Sequence, residues 1–215
     1  MKKILVTTLA VCALVAGAMA QGQITFSASG TADPGALFYT MDGKLTSKVK
    51  IPAGGLIPGV GQVNIALYGA AVGTTLSLTP AGFPDLSAWK IGSPILQAVG
   101  PAAGGMTGKI VTMDASLGAA GGNVQLEVVA WTGAATSWAD AIANPGANLF
   151  AWSGDKLSGG ALGWTSGSGS ATTPFVIGKG PGAFNGLVLA PIPEPSTFAL
   201  AGLGAAALLI FRRRK

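Results

Sequence analysis

Four stretches of this 215-residue chain fall into two interleaved sets of side chains. Ile24, Phe26 and Ala28 interleave with Thr25 and Ser27. Leu45, Ser47, Val49 and Ile51 interleave with Thr46, Lys48 and Lys50. Val63, Ile65 and Leu67 interleave with Asn64, Ala66 and Tyr68, and Val124, Leu126, Val128 and Ala130 with Gln125, Glu127, Val129 and Trp131. A period of two puts every second side chain on one face, so each stretch predicts a strand with one face turned to a core. Asp42-Gly43, Gly54-Gly55, Pro58-Gly59, Gly121-Gly122-Asn123, Gly154-Asp155 and Gly159-Gly160 punctuate the chain as turns. Asp42-Gly43, between two strand patterns, is the best hairpin signal. Weaker strand signals lie at 76–78, 95–99, 109–113, 149–152, 175–177 and 187–189.

One short helix is expected near Ser137–Ala143. Ser137 and Asp140 make an S-x-x-D capping pattern, and Asn144-Pro145-Gly146 ends it. Short strands with one brief helix and no βαβ alternation predict an all-β protein, an antiparallel β-sandwich over residues 21–189. The Val124–Trp131 strand is expected at its centre, with Glu127 on its solvent face.

The formal charge of +5 belongs to the ends of the chain. Between Gln21 and Ala190 seven lysines face seven acids, with no arginine, so this part is neutral. Nucleic acid is excluded as a partner, because its recognition needs a basic patch and favours arginine. Histidine is absent, and the single cysteine, Cys12, lies near the N-terminus. Ser-His-Asp and Cys-His catalysis, disulfides and cysteine-based zinc sites are therefore excluded from the central domain.

Both ends carry addresses. Lys2 and Lys3, an apolar run over Ile4–Ala16 and the small residues Ala18 and Ala20 form a signal peptide, with cleavage expected after Ala20 by signal peptidase. At the other end, Pro193-Glu194-Pro195-Ser196-Thr197 precedes an apolar run to Phe211 and the cations Arg212, Arg213, Arg214 and Lys215. As a helix, residues 197–211 would span about 22 Å at about 1.5 Å per residue. That is short against a hydrocarbon core of about 30 Å, although the cations can snorkel. The positive-inside rule keeps those cations cytoplasmic and so places the central domain outside.

This three-part tail, with motif 192–197, transmembrane helix 197–211 and basic end 212–215, resembles a PEP-CTERM sorting signal. The resemblance implies recognition by an exosortase in a Gram-negative-type bacterium. It also implies transient anchoring in the cytoplasmic membrane, then release to the cell surface or an extracellular polysaccharide matrix. Val124–Trp131, Ala134–Ile142, Ala66–Gly69 and Asn185–Leu189 are similar to segments of PEP-CTERM surface proteins, which implies a jelly-roll-like secreted domain. The chain thus divides into a leader (1–20), a β domain (21–189) and a sorting tail (190–215).

Chemistry is sparse in the domain. There is no G-x-S-x-G elbow and no phosphate-binding glycine loop. Asp33, Asp42 and Asp155 stand in turns and Asp140 at a helix start, so a hydrolytic carboxylate pair is not expected. No D-x-D-x-D spacing suggests calcium. No cofactor and no metal is implied. The five tryptophans either pack the core or stack on sugar rings. Trp131, opposite the Val124, Leu126 and Val128 face, and Trp164, before a Ser/Gly loop, are the candidates for exposure. The expected role is a non-enzymatic surface or matrix protein, with a carbohydrate-binding module as the alternative.

Overall fold

The computed structural model describes residues 22–28, 36–97, 100, 102–117, 122–146, 148–158, 161–167, 175–177, 184 and 186–192. The expected leader, with Ala18 and Ala20, and the tail from Pro193 to Lys215 lie outside them. Among the described residues no helix is long and apolar enough to cross a membrane.

The architecture is all-β with little helix. Its centre is the antiparallel pair β5 (Gly61–Ala70) and β9 (Asn123–Thr132), in register from Val63 opposite Thr132 to Ala70 opposite Gln125. Beyond β9 the large sheet continues through β10 (Leu149–Trp152), β13 (Leu187–Pro191), β2 (Leu37–Tyr39) and β3 (Val49–Lys50). Beyond β5 lies β4 (Leu56–Ile57), and β6 (Lys90–Ile91), β7 (Leu96–Gln97) and β11 (Trp164–Gly167) pair at the flanks. A second sheet orders β12 (Phe175–Ile177), β1 (Gln23–Ala28) and β8 (Met106–Thr112).

The pairing departs from a purely antiparallel arrangement. β13 runs parallel to β2, and β12 parallel to β1, so both sheets are mixed. Parallel neighbours need long crossovers, and here they join segments far apart in the chain. The last strand also reaches Pro191, past the domain end expected at 189.

Two cores lie on the two faces of the large sheet. On one, Val124, Leu126, Val128 and Ala130 of β9 and Val63, Ile65 and Leu67 of β5 share a cluster with Ile24 of β1 and Val111 of β8. On the other, Ala66, Tyr68, Val129 and Trp131 pack against Phe83, Leu86 and Trp89 and against α1 (Trp138–Ala143). The helix begins as its sequence signals: the Asp140 amide donates to the Ser137 side chain at 3.1 Å, satisfying a helix-end donor.

Two expectations are corrected here. Glu127 does not face solvent; it is fully buried, because residues on both faces of β9 are enclosed. Val128-Val129-Ala130 is an unbroken apolar run, the mark of a strand covered on both sides. The Leu45–Ile51 alternation is not one strand either. Residues 45–47 form a 3-10 turn, and only Val49–Lys50 pair, as an edge with Val49 exposed.

Gly186 lets β13 enter beside β2. Its φ is +88°, and a Cβ there would overlap the carbonyl oxygen of Ala36. The left-handed backbone alone costs an L-residue about 1–2 kcal/mol, before any backbone displacement. Gly186→Ala is expected to lower the melting temperature by at least about 2 °C, at about 2–4 °C per kcal/mol for a domain of this size. A calorimetric scan checks this; an unchanged melt would show that the β2–β13 junction tolerates a side chain.

Candidate functional site

The two tryptophans expected to be exposed are not. Trp131 has no accessible surface and Trp164 retains 8 %. They also belong to different cores, on opposite faces of the large sheet. No shared ring platform for a sugar exists between them. Trp131 is buried because α1 and residues 83–89 roof its face of β9, and its Nε1–H donates to the Ala135 carbonyl at 2.8 Å.

The aromatic residues form a packed cluster instead. Trp138 sits edge-on to Phe83, Trp131, Phe150 and Trp152, with ring centroids 5.8–6.4 Å apart. Its Nε1–H donates to the Pro84 carbonyl at 3.3 Å. Trp152, which sequence reasoning did not single out, is only partly buried. It lines an open, largely apolar groove of about 450 Å³ with Leu78, Phe150, Leu157, Pro191 and Ile192.

Most carboxylates hold turns. Asp42 accepts from the hydroxyls of Ser47 and Thr40 and from the Lys44 amide, and these bonds pull its pKa down to about 2. Asp85 and Asp114 accept from the amides of Ser87 and Ser116, and both are shifted down by hydrogen bonding to those serines. Asp155 accepts from the amides of Trp152, Leu157 and Ser158. Among the described residues no group of three potential metal ligands comes together.

Glu127 is different. One carboxyl oxygen accepts from the Gly163 amide at 2.8 Å, and the other has no hydrogen-bond partner. Gln125, two residues away on the same face of β9, donates its amide to the Gly163 carbonyl at 2.9 Å. Its own side-chain oxygen is also buried without a partner. The two side chains thus clamp the Gly163 peptide from both sides. Burial pushes the Glu127 pKa up to about 8, against the opposing pull of the bond from Gly163. The acid is therefore neutral in the folded protein through most of the physiological range. No surface reaches it, so its chemistry bears on stability.

The remaining site is where the chain leaves the fold. Pro191 pairs with Leu149 of β10, and Ala190 with Phe150. Ile192 is half-buried against the aromatic core. The expected motif residues Pro193, Glu194, Pro195, Ser196 and Thr197 thus begin directly after a residue that the fold holds in place.

Residues 191–215 match the family model of the PEP-CTERM protein-sorting motif. The tail is accordingly a PEP-CTERM sorting signal, which marks an exported protein that an exosortase processes after transient membrane anchoring. The match starts at Pro191, the residue that ends β13. No curated protein and no solved structure matches the chain.

Proposed function

We propose that this is a non-enzymatic exported protein with a structural or interaction role, delivered to the cell surface or extracellular matrix when an exosortase removes its tail. The sorting signal at 191–215 carries this reading. The domain supports it in kind. Asp42, Asp85, Asp114 and Asp155 brace turns, Asp140 stands in the first turn of α1, and the buried acid is sealed from solvent. In the fold that goes with this reading, the two sheets form a β-sandwich, jelly-roll-like in that they enclose one core. Ile24 and Val111 of the small sheet, packed with β5 and β9, support that layering. Signal peptidase removes the leader in this scheme. The alternative, a carbohydrate-binding module on extracellular polysaccharide, loses Trp131 and Trp164 as ring surfaces and would have to use the groove beside Trp152.

The sorting step has a direct test. Prolines such as Pro193 and Pro195 favour an extended backbone, and a charge such as Glu194 favours water over lipid. Replacing Pro193, Glu194 and Pro195 with alanine is expected to leave export intact and block tail removal. Uncleaved protein should then accumulate in the cytoplasmic membrane fraction of an exosortase-bearing host. Processing and release at the wild-type rate would overturn the reading.

A further inference from the structure

The register of the large sheet gathers several turns at the end where the tail departs. Pro191 lies opposite Leu149, Phe150 opposite Trp131, and Thr132 opposite Val63. The ends of β13 and β9 and the starts of β10 and β5 therefore share one edge of the molecule. β2 runs parallel to β13 with Tyr39 opposite Leu189, so the turn over residues 40–48 lies there too. Leu56 pairs with Gln62 at the start of β5, which adds the β4–β5 turn.

The 40–48 turn and the strand β4 that leads into the second turn carry apolar side chains that the fold does not cover. Met41 is 61 % exposed, Leu45 48 % and Leu56 59 %. Single exposed apolar residues are ordinary on a surface. Met41 and Leu45 on the 40–48 turn, and Leu56 on the edge strand β4 at the same end of the sheet, are placed where the tail dictates the neighbour. Five residues, 193–197, separate Ile192 from the apolar run that starts at Phe198. Fully extended at about 3.3–3.6 Å per residue, they reach roughly 20 Å. The interfacial layer of one leaflet takes about 5–7 Å of that distance. A folded domain of about 170 residues, with a radius of gyration near 15 Å, is then held close to the bilayer, exit end first.

We propose that this end is a membrane-contact face, on which Met41, Leu45 and Leu56 enter the interfacial layer of the bilayer while the tail is still attached. The proposal rests on the sorting reading above, since the anchor brings this face to lipid. The contact is apolar in character. On the 40–48 turn Asp42 offsets one of the two lysines, Lys44 and Lys48, and the Lys48 ammonium lies 4.3 Å from the centre of the Phe38 ring. Zwitterionic lipid is therefore sufficient, and salt should not release the face. The orientation presents the motif to a membrane-embedded processing enzyme with the same side of the domain always facing the membrane.

The full chain with Cys12→Ser, in phosphatidylcholine vesicles carrying a nitroxide headgroup lipid, tests this. Fluorescent labels are placed singly at Met41→Cys, Leu45→Cys and Leu56→Cys, and at Val72→Cys. Val72 is a comparably exposed apolar residue just past the opposite end of β5. Quenching several-fold stronger at the first three positions, and unchanged at about 1 M salt where the Debye length is about 3 Å, is expected. A label at Lys44→Cys should lose that quenching when Met41, Leu45 and Leu56 are all changed to serine; persistence would overturn the apolar contact. Equal quenching at all four positions in a chain that floats with the vesicles overturns the face and leaves the anchoring intact. A chain that does not float overturns both. Labels shielded from water but not quenched by lipid, with cross-links between chains, would make the face a self-interface and overturn the proposal.

Discussion

Thermal melts of the detergent-solubilised chain are expected to show stability falling as pH rises from about 5 to 8, with Glu127 as the cause. The sign follows from its two states. Unfolded, the acid ionises near its ordinary value of 4.5; folded, burial raises it to about 8. Below the lower value both states are protonated and the group contributes no pH dependence. Between the two, only the unfolded chain gives up its proton, which draws the equilibrium toward unfolding. At about 1.36 kcal/mol per pH unit the loss is on the order of 4 kcal/mol across the window. That corresponds to roughly 10 °C in melting temperature. Above about 8 the folded acid ionises as well and the decline levels off. Asp42 acts on the other side: its folded value is near 2, so its contribution is lost in acid, as pH falls through the lowered value. Glu127→Gln should flatten the profile between pH 5 and 8 and melt higher than wild type at pH 8. Its side-chain oxygen can still accept from Gly163, and it has no proton to lose. A wild-type profile already flat over this range, or an unchanged slope in the variant, would exclude Glu127 as the source.

Truncating Trp138 to alanine should be the most damaging single change in the second core. The ring is 1 % exposed, meets four other aromatic rings, and ties α1 to the segment at Pro84. Removing a buried aromatic side chain costs about 3–5 kcal/mol, and each well-placed aromatic pair contributes about 0.5–1.5 kcal/mol beyond its area. A melting temperature lower by roughly 10 °C or more is expected. Amide exchange over residues 83–89 should accelerate ahead of global unfolding, since those residues lose the ring that pins them. Trp138→Phe should fall between, keeping ring contacts and losing the bond to Pro84. An alanine variant as stable as wild type would mean that the roof over β9 is held by other contacts.

What the sequence discloses here depends on range. The Ser137–Asp140 pattern and the β5 and β9 alternations are local, and the structure places a capped helix and the two central strands on them. The sorting tail is also a local pattern, and the family model matches it over 191–215. The parallel partners β2 and β13 lie nearly the whole domain apart, and no short-range signal announces their pairing. Alternation alone makes one face polar and so turns Glu127 and Trp131 outward. Only the unbroken run Val128-Val129-Ala130 hinted that the opposite face was covered too. Leu45–Ile51 misleads for the opposite reason: its alternation has no second layer over it, and the turn chemistry of Asp42 with Thr40 and Ser47 prevails.

The place of β13 has a bearing on how such a chain is made. It is the last strand, yet it is inserted in the interior of the sheet, between β10 and the early strand β2. Emerging from N-terminus to C-terminus, the polypeptide lacks this seam until residues 187–191 arrive, so β2 and β10 cannot be bridged beforehand. Late closure of this kind leaves the large sheet incomplete until residues 187–191 have been made, so the fold depends on the segment that leads into the tail. The sorting signal begins at the residue that ends this strand, so the segment that closes the sheet and the one that carries the signal are continuous.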